Sequence, residues 1–543
     1  MSERIKNSNF QIRLPLLLGL ALAGGMLLGA NMFGGGTANV KGIKDGYLKI
    51  KEILTHIDNR YVDTVNTDDL VDYSIEKMLE KLDPHSSYIP KKNIREAKAQ
   101  LEGSYDGIGI EFNIFKDTIY VVAPLSGGPS EKAGLQSGDK IIKVNGESVA
   151  GIKIKNQGVR KRLLGKKGSK VKIAIKRSGV NELMEFTITR DKIPQNSVEV
   201  SYMIDEKTGF IKVSRFARRT YIEFREALEG LRKKGMKRMV LDLRDNPGGY
   251  MDRAIKMADE FLSGNPKIVY TNGKGSRYDS EARARFTGLF EQGPLIVLIN
   301  EGSASASEIV SGALQDNDRA LIVGRRSFGK GLVQLPIDLQ DGSELRLTIS
   351  RYYTPSGRSI QKPYGKNPKE YRSDLLKRYK SGELFSADSI KFNDSLKYTT
   401  VRKKRTVYGG GGIMPDYFIP IDTSRNSKYY RNLSVKNVFQ EYSFKYYKNN
   451  QKKLEAYKLD DYIKTFSVSP AMVKDVIAMG KKAGVKYNAK EFKRSEKLIK
   501  TLIKALVGRR VWKEQGFYPI WYSIDRTYVK ALELFDKAAA IQE

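Results

Sequence analysis

Residues 294–339 read PLIVLINEGSASASEIVSGALQDNDRALIVGRRSFGKGLVQLPIDL. The run Leu295–Ile299 is short, apolar and unbroken, which fits a buried strand. Gly302, Ser303, Ala304, Ser305 and Ala306 are all small, so another stretch of backbone can approach them closely. Ile309, Val310, Ala313 and Leu314 then recur at helical spacing, which predicts a helix beginning near Ser305 or Ala306. A serine at that point sits among unpaired backbone N–H groups at the positive end of the helix dipole, a workable place to form an oxyanion. Further on, Lys330 stands between two glycines, with Gln334 four residues later.

Outward from this stretch, residues 239–243 (MVLDL) form a second apolar run, leading into Arg244-Asp245-Asn246-Pro247-Gly248-Gly249 and then a helical pattern from Met251 to Leu262. Strand, glycine turn and helix make a βαβ pattern, repeated from Leu295 onward. Residues 209–216 and 343–353 read as strands and 224–231 as a helix. Residues 362–405 are polar and charged and read as an insertion, before Ile413-Met414-Pro415-Asp416 returns to compact-domain chemistry.

Lys330 closes a G-x-x-x-x-G-K pattern from Gly324, the start of a phosphate-binding loop. The next residue, however, is Gly331 and not the magnesium-binding Ser or Thr, and a strand with Pro336 follows where a helix is needed, so nucleotide binding is not expected. The lysine can instead be a base, provided it is neutral. Its ordinary pKa of about 10.4 must then fall by roughly three units, and Phe328, Gly329, Gly331 and Leu332 are the right surroundings for desolvation. By strand parity Gln334 is expected to point the same way as Lys330 and to bond near its amine.

The totals limit the alternatives. With 543 residues, 40% of them hydrophobic, several domains with real cores are expected. The absence of cysteine excludes disulfides, thiolate nucleophiles and cysteine metal sites. The two histidines, His56 and His85, lie far upstream of the serine cluster. His85 falls in the turn-rich connector Leu82-Asp83-Pro84-His85-Ser86-Ser87-Tyr88, where a hydrogen-bonded structural role is expected before a catalytic one. A net charge of +34 points to an anionic neighbour, though most of the cations are expected on a solvated surface.

At the N-terminus, residues 14–32 are uncharged and mostly apolar behind Arg4, Lys6 and Arg13. That length suffices for one span, and the positive flank sends the remainder across the membrane. A cleaved signal peptide is the competing reading, but no clean cleavage site is present. The body is therefore expected in the cell envelope, anchored in the inner membrane facing the periplasm or secreted there. After the anchor, Ile50, Ile53, Leu54 and Ile57 form one helical stripe and Ile75, Met78, Leu79 and Leu82 another.

Residues 107–191 read as a compact β-rich module: a Gly107-Ile108-Gly109-Ile110 loop, a short helix capped by Gly134, and a strand closed by Asn145-Gly146. With its AGLQSGDKIIKVNG run this resembles a PDZ domain of the bacterial protease type. The resemblance implies that Gly107, Ile108, Gly109 and Ile110 hold a polypeptide's C-terminal carboxylate while the peptide adds a strand to the sheet edge.

NEGSASASE followed by SFGKGLVQ, together with LDPHSSY, LDLRDNPGG, YYTPSGRSIQ and GGIMPD, resembles the C-terminal processing peptidase (tail-specific protease) family of serine proteases. Carried over residue by residue, the resemblance implies Ser305 as nucleophile, Lys330 as general base and Gln334 as its orienting partner. It implies oxyanion donors at the backbone of Ala306 and Gly248, with Gly249 still open for the second. Neither metal nor cofactor is expected. Where relatives carry an arginine just before the glycine matching Gly165, this chain has Leu164, with Arg160 and Arg162 nearby.

The expected architecture is therefore a multidomain α/β and α+β chain. Residues 1–40 form the anchor or signal segment with its linker, 41–105 a helical domain, and 106–192 the PDZ domain. Residues 193–422 form a βαβ-containing protease core of the ClpP/crotonase-like type, and 423–543 a basic, helical C-terminal extension outside the family pattern. The expected function is serine endopeptidase action on polypeptides with exposed C-termini. A non-catalytic envelope scaffold that binds protein tails is the other reading. Contact with an adaptor protein or a second copy is left open, and nucleic acid is not expected for an exported chain.

Overall fold

The computed structural model describes residues 40–543 except 116, 126, 178, 366, 367 and 392. The apolar stretch 14–32 lies outside the described residues, and among those described no helix is long and apolar enough to cross a membrane. The chain divides into two units after residue 77. In the first, the helix Val40–Arg60 carries the Ile50 and Ile53 stripe, but both side chains are exposed, at 50% and 52%.

The second unit is organised on a six-stranded sheet in the order Val198–Met203, Thr208–Val213, Arg238–Asp242, Leu295–Ile299, Leu321–Gly324, Tyr417–Phe418. The first pair is antiparallel and the others parallel. Alternate residues of each central strand face opposite sides. Met239, Leu241, Leu295, Val297 and Ile299 pack with Phe224, Leu228, Met257, Ile309 and Leu314 from the helices on one face. Val240, Ile296 and Leu298 pack on the other face against Tyr522, Tyr528, Leu534, Phe535 and Ile541. Burial on both faces is why these strands read as unbroken apolar runs. The second covering layer comes from the end of the chain, through the helices Arg526–Leu532 and Phe535–Gln542.

A second, antiparallel sheet carries Ser87–Ile89, Lys267–Gly273, Ser280–Arg283, Leu332–Asp338 and the long strand Glu344–Tyr353. The polar segment 362–405 is knitted into this region. Its Arg378 donates to the carbonyls of Arg326 (2.7 Å) and Ser327 (3.1 Å), and its Tyr371 is buried.

Between residues 110 and 189, strands run in the order Ile110–Phe115, Thr118–Pro124, Lys140–Val144, Lys170–Lys176, Met184–Thr189, with Glu147–Ser148 beside the third. Ile110–Phe115 is an edge strand. The helix Asn156–Leu163 turns Val159 and Leu163 into the same core as Ile108 and Ile110. Beyond residue 423, Tyr429, Leu433, Phe439, Tyr462, Val476, Ile499 and Ile503 form a separate helical core.

Candidate active site

The strand Leu295–Ile299 delivers the chain to a turn that ends at Ser305, and the helix Ala306–Asp316 starts immediately after it. Ser305 has φ 54° and ψ −112°, a region that costs a non-glycine residue about 1–3 kcal/mol and persists only when its surroundings enforce it. The neighbouring serines are different. Ser303 and Ser307 are fully buried, and their hydroxyls donate to the carbonyls of Leu243 (2.8 Å) and Asn246 (2.9 Å). Ser305 alone of the three is partly exposed.

What enforces the geometry is Glu308, with no exposed surface. Its carboxylate accepts from the backbone N–H groups of Ser305 (2.8 Å), Gly329 (2.7 Å) and Lys330 (2.9 Å), and from the Ser327 hydroxyl (2.5 Å). One carboxylate thus ties the serine turn to the lysine turn. Burial pushes the Glu308 carboxyl up to about 7, against the opposing pull of those four donors. Tyr352 adds a second tie: its hydroxyl donates to the Lys330 carbonyl (2.5 Å) and lies 3.1 Å from that of Ser305. The sequence reading missed both residues. Glu308 had a signal, since Ser305-x-x-Glu308 is a capping-box spacing, whereas Tyr352 had none.

Burial holds the Lys330 amine below its ordinary pKa, and Arg346 acts in the same direction, while Glu308 and Asp83 oppose. Gln334 does not bond to this amine. Its Nε2 lies 3.4 Å from Thr348 Oγ1, which in turn donates to Asp83 Oδ1 (3.1 Å). The parity argument does not reach the lysine, because Lys330 lies in the irregular stretch before the strand Leu332–Asp338, where strand alternation does not hold. The Gly331 N–H is taken by Gln361 Oε1 (2.8 Å).

His85 packs nearby, with Nε2 2.6 Å from the Tyr371 hydroxyl. Burial, aided by the Lys330 and Lys362 charges, lowers its pKa to about 4 despite Asp83. It is therefore a neutral, hydrogen-bonded ring at neutral pH.

The Asn246–Gly249 turn faces the serine. A Cβ on Gly248 (φ 97°) would lie 2.8 Å from both Ser305 Cβ and the Ala304 carbonyl oxygen, so glycine is required by contact and by conformation. The Gly248 N–H is not a free donor, because it bonds to Asn246 Oδ1 (2.9 Å). This corrects the expected pairing of Gly248 with Ala306. Gly249 bridges Phe216 in parallel fashion, with Phe216 N–H donating to Gly248 O and Tyr250 N–H to Phe216 O, so its own N–H points away from Phe216. Ala306 occupies the first helical position, where no intrahelical partner exists for its N–H.

In the edge-strand module, the carbonyl of Ile108 accepts from Ser130 N–H (3.0 Å) and Oγ (2.6 Å), and that of Gly109 from Leu125 N–H (2.9 Å). The loop Gly107, Ile108, Gly109, Ile110 is thus braced through its carbonyls beside the unpaired edge of Ile110–Phe115. Leu164 lies against Gly107, while the Arg190 guanidinium lies against Gly165 and donates to the carbonyls of Leu163 and Arg162 (both 2.9 Å).

The model of peptidase family S41 matches residues 207–370, that of the PDZ domain 107–188, and that of a family of unknown function (DUF8443) 429–513. A carboxy-terminal-processing protease of Bartonella bacilliformis is 38% identical over 314 residues, covering 57% of this chain and 71% of its own. The carboxy-terminal processing protease CtpA of Bacillus subtilis is 36% identical over 351 residues, covering 62% and 73%. Among solved structures, the photosystem II D1 C-terminal processing protease aligns with 58% of this chain and 90% of its own at 29% identity, with a TM-score of 0.33.

Proposed function

The chain belongs to the carboxy-terminal processing proteases of peptidase family S41 and is a serine peptidase with a PDZ domain, and from that premise we propose that Ser305 and Lys330 form its catalytic dyad. The observation that carries the reading is Glu308, a single buried carboxylate bonded to the backbone of both residues. It holds a strained, partly exposed serine and a desolvated lysine in one rigid frame.

In the proposed reaction the neutral Lys330 amine takes the Ser305 hydroxyl proton as Oγ bonds to the scissile carbonyl carbon. The carbonyl electron pair moves to oxygen, where the N–H groups of Ala306 and Gly249 receive it; such donors each contribute about 10²–10³ in rate. Collapse breaks the C–N bond, and the lysine ammonium returns its proton to the leaving amine. Water, deprotonated by Lys330, then hydrolyses the acyl-enzyme. Gln334 is assigned to the amine through its Oε1, an acceptor that the long Nε2 bond to Thr348 does not use.

Substrate C-termini are assigned to the Gly107–Ile110 loop, with the tail adding to the free edge of Ile110–Phe115. The N-terminal apolar stretch supports an envelope location facing the periplasm, and an adaptor or a second copy of the chain remains compatible with it. The test is cleavage of an unstructured polypeptide. Ser305→Ala and Lys330→Ala are each expected to abolish it with the fold retained, and amidating the substrate's C-terminus to raise KM. Full cleavage by either variant contradicts the dyad, and indifference to amidation contradicts the tail-binding half.

A further inference from the structure

The turn that faces Ser305 begins at Arg244, and Arg244 is held from two directions. One is its own strand. Asp242 takes the guanidinium in a fork, Nε to Oδ1 (2.9 Å) and Nη2 to Oδ2 (2.7 Å), and also accepts the Arg244 N–H (2.9 Å). The Lys212 amine donates to the Arg244 carbonyl (3.2 Å). The other direction is the far end of the chain, 281 residues away. Asp525 presents both carboxylate oxygens to Nη1 at 2.9 Å. The Tyr522 ring lies under the guanidinium at 5.1 Å, while its hydroxyl donates to Asp242 Oδ2 (3.1 Å). Arg244 is only 8% exposed, so these charge-assisted bonds act where water competes little.

From Arg244 the chain of contacts runs to the nucleophile. Asp245 (φ 60°) is locked by Asn300, which accepts its N–H and donates to its carboxylate, both at 2.9 Å. The Asn246 carbonyl then accepts from Ala304 N–H and Ser307 Oγ, each at 2.9 Å, on either side of Ser305. Neither Tyr522 nor Asp525 lies in residues 207–370 or 429–513, the stretches matched by the peptidase model and the family of unknown function.

We propose that Tyr522 and Asp525, in the C-terminal extension, are positioning residues for catalysis: they complete the seat of Arg244 and so fix the Asp245–Gly249 turn against Ser305. The inference rests on the assignment of that turn as part of the oxyanion site. It gives the end of the chain two roles, one covering the core sheet and one aligning the turn at the strand's end. A displacement of about 1 Å in such a turn is enough to cost roughly 10² in rate.

The test uses the full chain with Asp525→Asn, Tyr522→Phe, the conservative Asp525→Glu, and Tyr528→Phe as control. Tyr528 lies in the same layer and bonds to Tyr202, not to Arg244. Asp525→Asn and Tyr522→Phe are expected to lower kcat about tenfold or more with KM within about twofold. They should also speed amide exchange across residues 243–250. Asp525→Glu should recover part of both, and Tyr528→Phe should leave kcat and that exchange at wild-type values whatever its effect on Tm. Unchanged kcat and unchanged exchange in folded Asp525→Asn or Tyr522→Phe overturn the proposal, as does an equal loss in Tyr528→Phe. Because amide exchange is read without substrate, failure of the peptidase reading, seen as a wild type that does not cleave, is distinct from failure of this one.

Discussion

Replacing Glu308 by Gln tests the frame that joins the serine to the lysine. The wild-type carboxylate faces four donors, two on each oxygen: Ser327 Oγ and Gly329 N–H on Oε1, Ser305 and Lys330 N–H on Oε2. The Ser327 oxygen accepts the Ile413 N–H (2.6 Å) and has a second lone pair, so it can accept one N–H of the new amide only by turning its own hydrogen elsewhere. A carboxamide has one oxygen, so its NH2 group meets either the Ser305 and Lys330 N–H groups, leaving both unsatisfied, or Gly329 and Ser327, leaving the Gly329 N–H unsatisfied and displacing the Ser327 hydrogen. At about 1–3 kcal/mol for each orphaned donor, the loss comes to about 1–6 kcal/mol, reduced by whatever desolvation cost the lost charge had imposed. The position of Ser305 should relax toward an ordinary φ, and activity should fall by more than tenfold. Urea unfolding followed by tryptophan emission at pH 8 reads the stability, since Trp521 packs against the core on the sheet, and cleavage of an unfolded substrate reads the activity. A loss under about 1 kcal/mol with full activity would refute the reasoning.

Gly248→Ala places a methyl 2.8 Å from Ser305 Cβ at a φ of 97°; it should lower kcat by about 10² with little change in KM, as steady-state kinetics can show. Activity should rise with pH, because the frame needs Glu308 ionised, with its carboxyl at about 7, and the base needs Lys330 neutral, which burial brings within reach at lower pH than usual. Both dependences have the same sign. His85, lowered to about 4, should add no inflection near 6.5 to a kcat/KM profile between pH 5.5 and 9, and such an inflection lost in His85→Asn would contradict its structural role.

Much of the site's local chemistry could be read from the sequence. The small-residue turn and the helical stripe after it placed the serine cluster at a helix start, the family resemblance singled out Ser305 within it, and the desolvating neighbours of Lys330 were visible as residue types. Properties of ladders and of long-range contacts were not. Parity relates Gln334 to Lys330 only if both lie in one strand, and where that strand begins is set by its pairing with Glu344–Tyr353, which starts at Leu332 and leaves Lys330 outside. The family resemblance implies Gly248 as a donor, yet Asn246 two residues back claims its N–H. The Tyr371 hydroxyl that holds His85 comes from 286 residues away, out of a segment that reads as a polar insertion. The extension after residue 423 showed its helical stripes but not their destination. A hint was present all the same, because strands with no polar alternation, such as Leu295–Ile299, need cover on both faces, and the helices Arg526–Leu532 and Phe535–Gln542 supply the second cover.

The most direct test of the dyad is to react the full chain with a serine-directed acylating probe and to map the adduct by mass spectrometry. The account predicts one adduct, on Ser305, absent from Ser305→Ala and formed at least about 10² more slowly in Lys330→Ala. An adduct on Ser303 or Ser307, or acylation of Lys330→Ala at the wild-type rate, would contradict it.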